Sequence, residues 1–247
     1  MDLVEARSIF SPATGFIARG GFDFTCNPYL GCSFGCVYCY AAYLPQNKQP
    51  VEQWGRWLSA KSNAVELAAK QAKKIAGRAV YMSSVTDPYQ PAERSLMLSR
   101  GILEAIAPLQ PRLVVQTRGP LVVRDVDVLN QFGRVRVNFS VPTDCDDVRR
   151  RFEPKAPPLD RRWAALDELK ASGVPLGVCV TPTLPIVDPE RFADRIATLA
   201  PDVVVTQDFH DAGGSAPTPG QRHDRPGPSY IGVKASTAAS SRYSPRG

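Results

Sequence analysis

Long apolar runs and a strong excess of either charge are both missing from this sequence. No stretch of the 247 residues approaches the roughly 20 apolar residues that a membrane-spanning helix needs. The first ten residues, MDLVEARSIF, are acidic and lack the apolar core of a secretory signal. We therefore expect a protein with no membrane partner and a cytoplasmic location.

Charge gives little direction about partners. The formal net charge is +6, and residues 209–247 contribute about half of it, with five basic and two acidic residues. The rest of the chain is close to balanced, unlike a strongly basic nucleic-acid-binding protein. The net charge is therefore compatible with a nucleic-acid partner but does not indicate one.

Histidine is scarce, and both copies lie in a compositionally distinct end of the chain. His210 and His223 fall within residues 209–247, which are rich in Gly, Pro, Ser and Arg and have neither helical nor strand periodicity. We predict that this segment is a disordered or loosely packed tail. A zinc-binding role stays open for the histidines, but exposed histidines without a function are the simpler expectation.

Cysteine, in contrast, is concentrated in one place. The six cysteines are Cys26, Cys32, Cys36, Cys39, Cys145 and Cys179. Four of them lie between residues 26 and 39, whereas a disulfide framework spreads its cysteines along a secreted chain. Clustered cysteines without a secretory signal indicate metal or redox chemistry.

Short apolar strands alternate with helical patterns from residue 21 onward, after an N-terminal lead-in (residues 1–20) that we predict to be irregular. Strands are predicted at 22–25, 79–85, 113–117, 135–141, 176–181 and 203–206. Helices are predicted at 62–76, 95–109, 121–131, 160–172 and 189–199. This alternation favours an α/β fold with a parallel sheet. Because the strand count is short of eight, we predict a partial, open (β/α)6 barrel over residues 21–208, with a doubly wound sheet as the alternative.

The fourth predicted strand has two contrasting faces. Its apolar residues Val135, Val137, Phe139 and Val141 alternate with Arg136, Asn138 and Ser140. Inward side chains of a closed, packed barrel are mostly bulky and apolar. The polar set therefore indicates either a wet, ligand-filled lumen or an exposed strand face.

The main chemical signal is the segment Cys32-Ser-Phe-Gly-Cys36-Val-Tyr-Cys39, with C-x3-C-x2-C spacing. Thiolates are the preferred ligands of iron–sulfur clusters, and three this close can reach three corners of one [4Fe–4S] cubane. The fourth iron would then be open to another molecule. Zinc is the main competitor, but a structural zinc site needs four protein ligands, the fourth from Cys26 or a distant histidine. The motif follows the first predicted strand, at the carboxyl end where β/α barrels have their active sites.

The motif, with Tyr38 as the aromatic residue before Cys39, resembles the C-x3-C-x-aromatic-C hallmark of the radical S-adenosylmethionine (radical SAM) superfamily. Five segments in compatible order over residues 20–205 resemble its branch related to spore photoproduct lyase. They are NPYLGCSFGCVYCYA (27–41), SSVTDPYQPAE (83–93), VVQTRGPLVVRDVDVL (114–129), VNFSV (137–141) and FEPKAPPLDRR (152–162).

The resemblance implies that Cys32, Cys36 and Cys39 bind a [4Fe–4S] cluster and that S-adenosylmethionine chelates its open iron. An electron from a low-potential donor of the flavodoxin or ferredoxin type would then break a carbon–sulfur bond of S-adenosylmethionine. The products would be methionine and a 5′-deoxyadenosyl radical that abstracts hydrogen from the substrate.

The resemblance also implies four contacts to S-adenosylmethionine. Tyr38 belongs to the cluster motif, and Asp87 matches an acidic residue near the amino group of the cofactor. Arg118 stands where spore photoproduct lyase has a lysine that pairs with the methionyl carboxylate, which a guanidinium can bind bidentately. Ser140 matches a serine near the same cofactor.

One feature of spore photoproduct lyase is missing. That enzyme has a cysteine hydrogen donor shortly before the residue matched by Asp87, whereas this chain has Ser83, Ser84 and Val85 there. A serine O–H bond is too strong to replace a thiol in this role. Cys179 could face the lumen, but packing as a small hydrophobic residue is the simpler expectation.

The sequence therefore predicts a radical SAM enzyme whose substrate is a nucleic-acid base, a peptide or a small metabolite. Two alternatives stay open. One is a non-catalytic zinc or iron–sulfur binding module, and the other is DNA lesion repair of the spore photoproduct lyase type.

Overall fold

The computed structural model of the protein describes residues 1–45 and 47–208. These residues form ten strands: β1 (Asp2–Val4), β2 (Phe10–Pro12), β3 (Phe24–Cys26), β4 (Tyr29–Leu30), β5 (Ser59–Lys61), β6 (Ala79–Met82), β7 (Arg112–Thr117), β8 (Val135–Ser140), β9 (Leu176–Thr183) and β10 (Val203–Asp208). They also form eight α-helices: α1 (Gly15–Arg19), α2 (Ala64–Gln71), α3 (Glu93–Leu96), α4 (Leu98–Ile106), α5 (Val126–Leu129), α6 (Asp146–Phe152), α7 (Leu159–Ala171) and α8 (Pro189–Thr198).

Six parallel strands make up most of the larger sheet, in the order β3, β6, β7, β8, β9 and β10. Each of the six strands predicted from sequence overlaps one of them, and helical segments connect them along the chain. The predicted α/β fold with a partial (β/α) barrel is therefore confirmed. Because the carboxyl ends of parallel strands lie at one edge, the loops that follow β3, β6, β7 and β8 meet there.

Local chemistry explains where the two C-terminal helices begin and end. Helix α7 is followed by Ser172 and then by Gly173 with a positive φ of 73°, which ends the helix within one residue of the predicted range 160–172. Helix α8 starts with Pro189 after Asp188, whose side chain accepts a hydrogen bond from Arg191 N (3.0 Å). The predicted helix at 121–131 is instead a 3-10 helix (Pro120–Asp125) followed by the single turn α5.

The two faces of the sheet differ in polarity. Alternate residues of the central strands, such as Val115, Val137 and Val178, are buried in the main hydrophobic core beneath the helices. The opposite face carries polar side chains, among them Asn138 and Ser140, which are also buried. An exposed strand face is therefore the wrong interpretation of the alternating pattern in β8, and a polar lumen is the right one.

The first 20 residues are not irregular, in contrast to our expectation. Strand β2 pairs antiparallel with β3 at the edge of the main sheet. Strand β1 pairs parallel with β5, which pairs antiparallel with β4, so these strands form a second, three-stranded sheet. The pairings are three residues long or shorter, and such short strands gain their stability from distant partners rather than from a local pattern. This second sheet anchors β4, and the cysteine motif starts directly after it.

The predicted tail at 209–247, with His210 and His223, lies outside the described residues. Among the residues that are described, every helix is too short or too polar to traverse a lipid bilayer.

Candidate active site

The cysteine motif forms a tight loop at the carboxyl edge of the sheet. Two backbone hydrogen bonds, Gly35 N to Cys32 O (3.3 Å) and Cys39 N to Cys36 O (3.1 Å), wind the loop so that the motif folds back on itself. The Cys32 and Cys36 side chains are buried, Cys39 is partly exposed, and none of the three is in a disulfide.

A second loop covers the cysteine loop. A Cβ atom on Gly55 would lie 2.6 Å from the Cα of Gly35, and both glycines have positive φ, so neither position has room for a side chain. Phe34 and Ala156 are buried together with Cys32 and Cys36, and the partly buried Trp54 packs against this cluster. The thiols therefore lie in a largely apolar shell, which limits access of water to anything bound there.

Burial sets the protonation of the free thiols. It raises the pKa of Cys36 to about 12, and nearby Arg118 opposes this shift. Burial also raises the pKa of Cys32 well above its usual range, and the neighbouring charges of Asp87, Cys36 and Cys39 raise it further. The three thiols thus interact with each other, and they lose their protons only when cations compensate the charge, as metal ligation does.

The donor set fits an iron–sulfur cluster, because thiolates are its preferred ligands and each of the three can bind a different iron. A structural zinc ion would need a fourth protein ligand. Cys26, the possible fourth zinc ligand, is instead buried in the main hydrophobic core, where burial raises its pKa to about 12.

Arg118 connects the end of β7 with the cysteine loop. Its Nη1 donates to Cys36 Sγ (3.2 Å) and to the Tyr38 hydroxyl (2.6 Å), and it forms an ion pair with Glu153. The Tyr38 hydroxyl also donates to Glu153. The structure therefore brings Arg118 and Tyr38 together with Cys36, and it adds Glu153, for which the sequence indicated no role.

Asp87 is buried on the loop after β6 and organises two loops. Its Oδ1 accepts hydrogen bonds from Tyr89 N (2.9 Å) and Thr117 Oγ1 (2.7 Å), and its Oδ2 accepts one from Arg118 N (2.9 Å). Burial raises the pKa of the carboxyl, and these hydrogen bonds oppose that shift. Since a carboxylate offers about four acceptor positions, one stays available on Oδ2 for an external donor.

Ser140 lies at the end of β8, in the polar lumen. Its hydroxyl accepts a hydrogen bond from Gln116 Nε2 (2.9 Å), and Gln116 Oε1 accepts from the Tyr81 hydroxyl (2.8 Å). Cys179 Sγ donates to Gln116 Oε1 (3.6 Å). Cys179 therefore faces the polar lumen, and the expectation that it packs as a small hydrophobic residue is wrong.

The loop after β6 fastens the start of the cysteine loop. Gln90 Oε1 accepts from Ser33 N (2.8 Å), and Thr86 Oγ1 donates to Gly31 O (2.5 Å). Asn27 Oδ1 accepts hydrogen bonds from Ser84 N (3.0 Å) and Val85 N (3.2 Å). These contacts were not predicted, although they join two of the family-like segments, 27–41 and 83–93. The available signal was that both segments resemble the same family.

The chain matches the radical SAM superfamily over residues 26–199. An uncharacterized protein of Methanocaldococcus jannaschii is 32% identical over 171 residues, which cover 69% of this chain and 64% of the relative. This chain therefore spans just under two thirds of that relative.

Solved structures share the fold. A spore photoproduct lyase variant with bound AdoMet and dinucleoside spore photoproduct has a TM-score of 0.57 at 21% identity, over 80% of this chain and 56% of that chain. SuiB of Streptococcus suis, bound to S-adenosylmethionine, has a TM-score of 0.52 at 15% identity, over 78% of this chain and 40% of that chain. The match to the superfamily covers more than half of the sequence and includes the cysteine loop and strands β6 to β9. The chain therefore belongs to the radical SAM superfamily of enzymes, whose cofactors are a [4Fe–4S] cluster and S-adenosylmethionine.

Proposed function

We propose that this protein reductively cleaves S-adenosylmethionine and uses the product radical to abstract hydrogen from a substrate. The observation that supports this best is the three-cysteine loop, in which Cys32 and Cys36 are buried and Arg118 donates to Cys36 and to Tyr38. When bound, the reduced cluster supplies one electron that converts S-adenosylmethionine to methionine and a 5′-deoxyadenosyl radical.

In this proposal, Cys32, Cys36 and Cys39 hold the cluster, and the apolar shell keeps water away from it. The guanidinium of Arg118 would bind the methionyl carboxylate while it stays within reach of Cys36 and Tyr38. The remaining acceptor position on Asp87 Oδ2 suits the methionyl amino group. Ser140 would contact the cofactor from the lumen side.

The electron would come from a low-potential carrier of the flavodoxin or ferredoxin type. Val37, within the cysteine motif, is 53% exposed, so the loop reaches the surface there. Val37 N donates to Phe152 O (2.9 Å), which places the exposed Arg151 beside it. Lys155 Nζ donates to Gly55 O (2.6 Å). Lys155 and the next residue along that loop, Arg56, are both exposed. This basic rim would attract an acidic carrier protein.

The substrate stays open among a nucleic-acid base, a peptide and a small metabolite. Lesion repair of the spore photoproduct lyase type remains an alternative, but Ser83, Ser84 and Val85 supply no thiol at the position where that enzyme has its hydrogen donor. A cytoplasmic location stays a prediction.

The test is anaerobic reconstitution with iron and sulfide, followed by addition of S-adenosylmethionine and a strong reductant, with 5′-deoxyadenosine as the readout. We expect product from the wild type, none from Cys36→Ala, and an unchanged yield from the matched control Cys145→Ala, because Cys145 lies outside the cysteine loop. A chain with about one tightly bound zinc and no acid-labile sulfide would instead support the binding-module alternative. A fully loaded cluster that yields no 5′-deoxyadenosine would contradict the enzymatic proposal.

A further inference from the structure

Glu153 is a fully buried carboxylate that the proposed chemistry leaves without a role. It follows α6 directly, and its backbone N donates to Arg149 O (2.7 Å). One carboxylate oxygen contacts Arg118 and the Tyr38 hydroxyl, and the other accepts from Arg162 Nη2 (2.5 Å). Glu153 therefore bridges two arginines, one of which contacts Cys36.

Arg162 fixes Glu153 from the side away from the cysteine loop. The Arg162 side chain is fully buried, its Nε donates to Pro157 O (2.9 Å), and its Nη1 donates to Ser140 O (3.4 Å). Helix α7 and the end of β8 thus hold Arg162, Arg162 holds Glu153, and Glu153 holds Arg118. Burial on both sides leaves this series of side chains little freedom to rearrange.

We propose that Glu153 is a positioning residue that aims Arg118 at Cys36 and sets the net charge beside the cluster. The inference rests on the proposed function, because it assumes a cluster bound at Cys36. Two arginines and one glutamate give this group a net charge of +1 next to the Cys36 sulfur. Without Glu153 the charge would be +2, which would stabilise the more negative, reduced cluster and make it a weaker reductant of S-adenosylmethionine.

The test compares midpoint potentials of the reconstituted cluster, measured by redox titration followed by electron paramagnetic resonance, without S-adenosylmethionine. Glu153→Gln changes the local charge to +2 and is expected to raise the potential. Arg118→Gln changes it to zero and is expected to lower the potential. The double variant restores +1, and its potential should return toward the wild-type value. Glu93→Gln is the matched control, because Glu93 is an equally buried glutamate with Tyr and Arg partners but no contact with the cysteine loop.

This charge series separates the proposal from a purely structural role. Damage to the fold would lower the cluster content, but it would not make the midpoint potentials follow the local charge. Iron and sulfide are therefore quantified in every variant. If Glu153→Gln alone does not fold, the midpoint potentials of Arg118→Gln and of the double variant can still be compared. The double variant should have the higher potential. Equal potentials across the series, or an equal shift in Glu93→Gln, would overturn the inference and leave the proposed function intact. A wild type that takes up no cluster would overturn both.

Discussion

Glu93 and Glu153 are two buried glutamates with almost the same partners in different regions of the molecule. Each accepts a hydrogen bond from a tyrosine hydroxyl, Tyr29 for Glu93 and Tyr38 for Glu153. Each is also paired with arginine, and neither side chain has measurable exposure. By the burial of the two glutamates and the residue types of their partners alone, the two sites could not be told apart.

They differ in what lies next to them. Both oxygens of Glu93 accept from Ser99 N (3.0 Å each), and Oε1 also accepts from Arg100 N (3.3 Å), in the first turn of α4. Glu93 therefore satisfies the free N–H groups at the start of a helix, where negative charge is favourable. Arg118, one of the two arginine partners of Glu153, instead donates to Cys36 Sγ (3.2 Å). A buried Tyr–Glu–Arg cluster can therefore support a helix start or reach a cysteine loop, according to what its arginine and carboxylate contact.

The largest expected difference between the regions concerns the arginines. Arg162→Met leaves the buried Oε2 of Glu153 without its partner, so we expect a loss of about 3–5 kcal/mol in the free energy of unfolding. Arg124 pairs with Glu93 (2.9 Å) and with the buried Asp125 (2.7 Å), and it is 24% exposed. In its absence the α4 amides stay bound to Glu93, and Arg100 stays paired with Asp125 (3.2 Å). Arg124→Met should therefore cost only about 1–2 kcal/mol. Urea denaturation of the cluster-free protein measures both, and an equal or larger loss for Arg124→Met would refute the distinction.

A second prediction concerns local stability at Glu93. Glu93→Gln keeps one acceptor oxygen but loses the charge, so we expect the start of α4 to open more easily, by about 1–3 kcal/mol. Hydrogen exchange measured on peptides covering Leu98–Ile106 should be faster, while the cysteine loop stays unchanged. Faster exchange at the cysteine loop instead would show that the two regions are coupled.

The tyrosines give a smaller contrast. Tyr29→Phe removes one buried hydrogen bond and should lower the free energy of unfolding by about 1 kcal/mol, with no effect on cofactor use. Tyr38→Phe should have a similar or smaller effect on stability. It should also raise the S-adenosylmethionine concentration needed for half-maximal 5′-deoxyadenosine formation, because Arg118 loses a contact. Identical cofactor dependence in both variants would argue against a role of Tyr38 in the site.

The smallest expected effect depends on pH. Burial raises the pKa of Glu153, but Arg118 and Arg162 outweigh it, so the pKa in the folded protein lies below its usual range. A lowered folded pKa adds stability above the unfolded value, near 4.3, and this stability is lost as the pH falls through the folded value. The difference in unfolding free energy between wild type and Glu153→Gln should therefore be present at neutral pH and shrink below about pH 4. A difference that grows on acidification would have the wrong sign.

Much of the fold was predictable because its signals are local. Each strand of the parallel sheet combines apolar residues with flanking turns, and the cysteine spacing lies within eight residues of one loop. Helix α6 was missed since it spans only seven residues, with one buried apolar side chain, Val148. Ion pairs of Asp146 with Arg149 (2.7 Å) and Arg150 (2.8 Å) stabilise it instead.

The candidate site was predictable only in part, for the same reason. Asp87, Arg118 and Ser140 follow strands or end them, so the topology brings them to one edge. The proposed role of Glu153 and the position of Arg162 beside it depend on contacts between segments far apart in the chain, which no periodicity encodes. Both residues nevertheless lie in the family-like segment 152–162.

The contacts of the cysteine loop also bear on the order of assembly. The partners of its residues follow later along the chain: Gln90 is 57 positions beyond Ser33, Arg118 is 82 beyond Cys36, and Glu153 is 115 beyond Tyr38. Contacts of such long sequence separation form late in folding. We therefore expect the thiols to stay loosely held on the nascent chain, so that delivery of iron and sulfide follows the closing of the sheet up to α7 rather than the emergence of the motif itself.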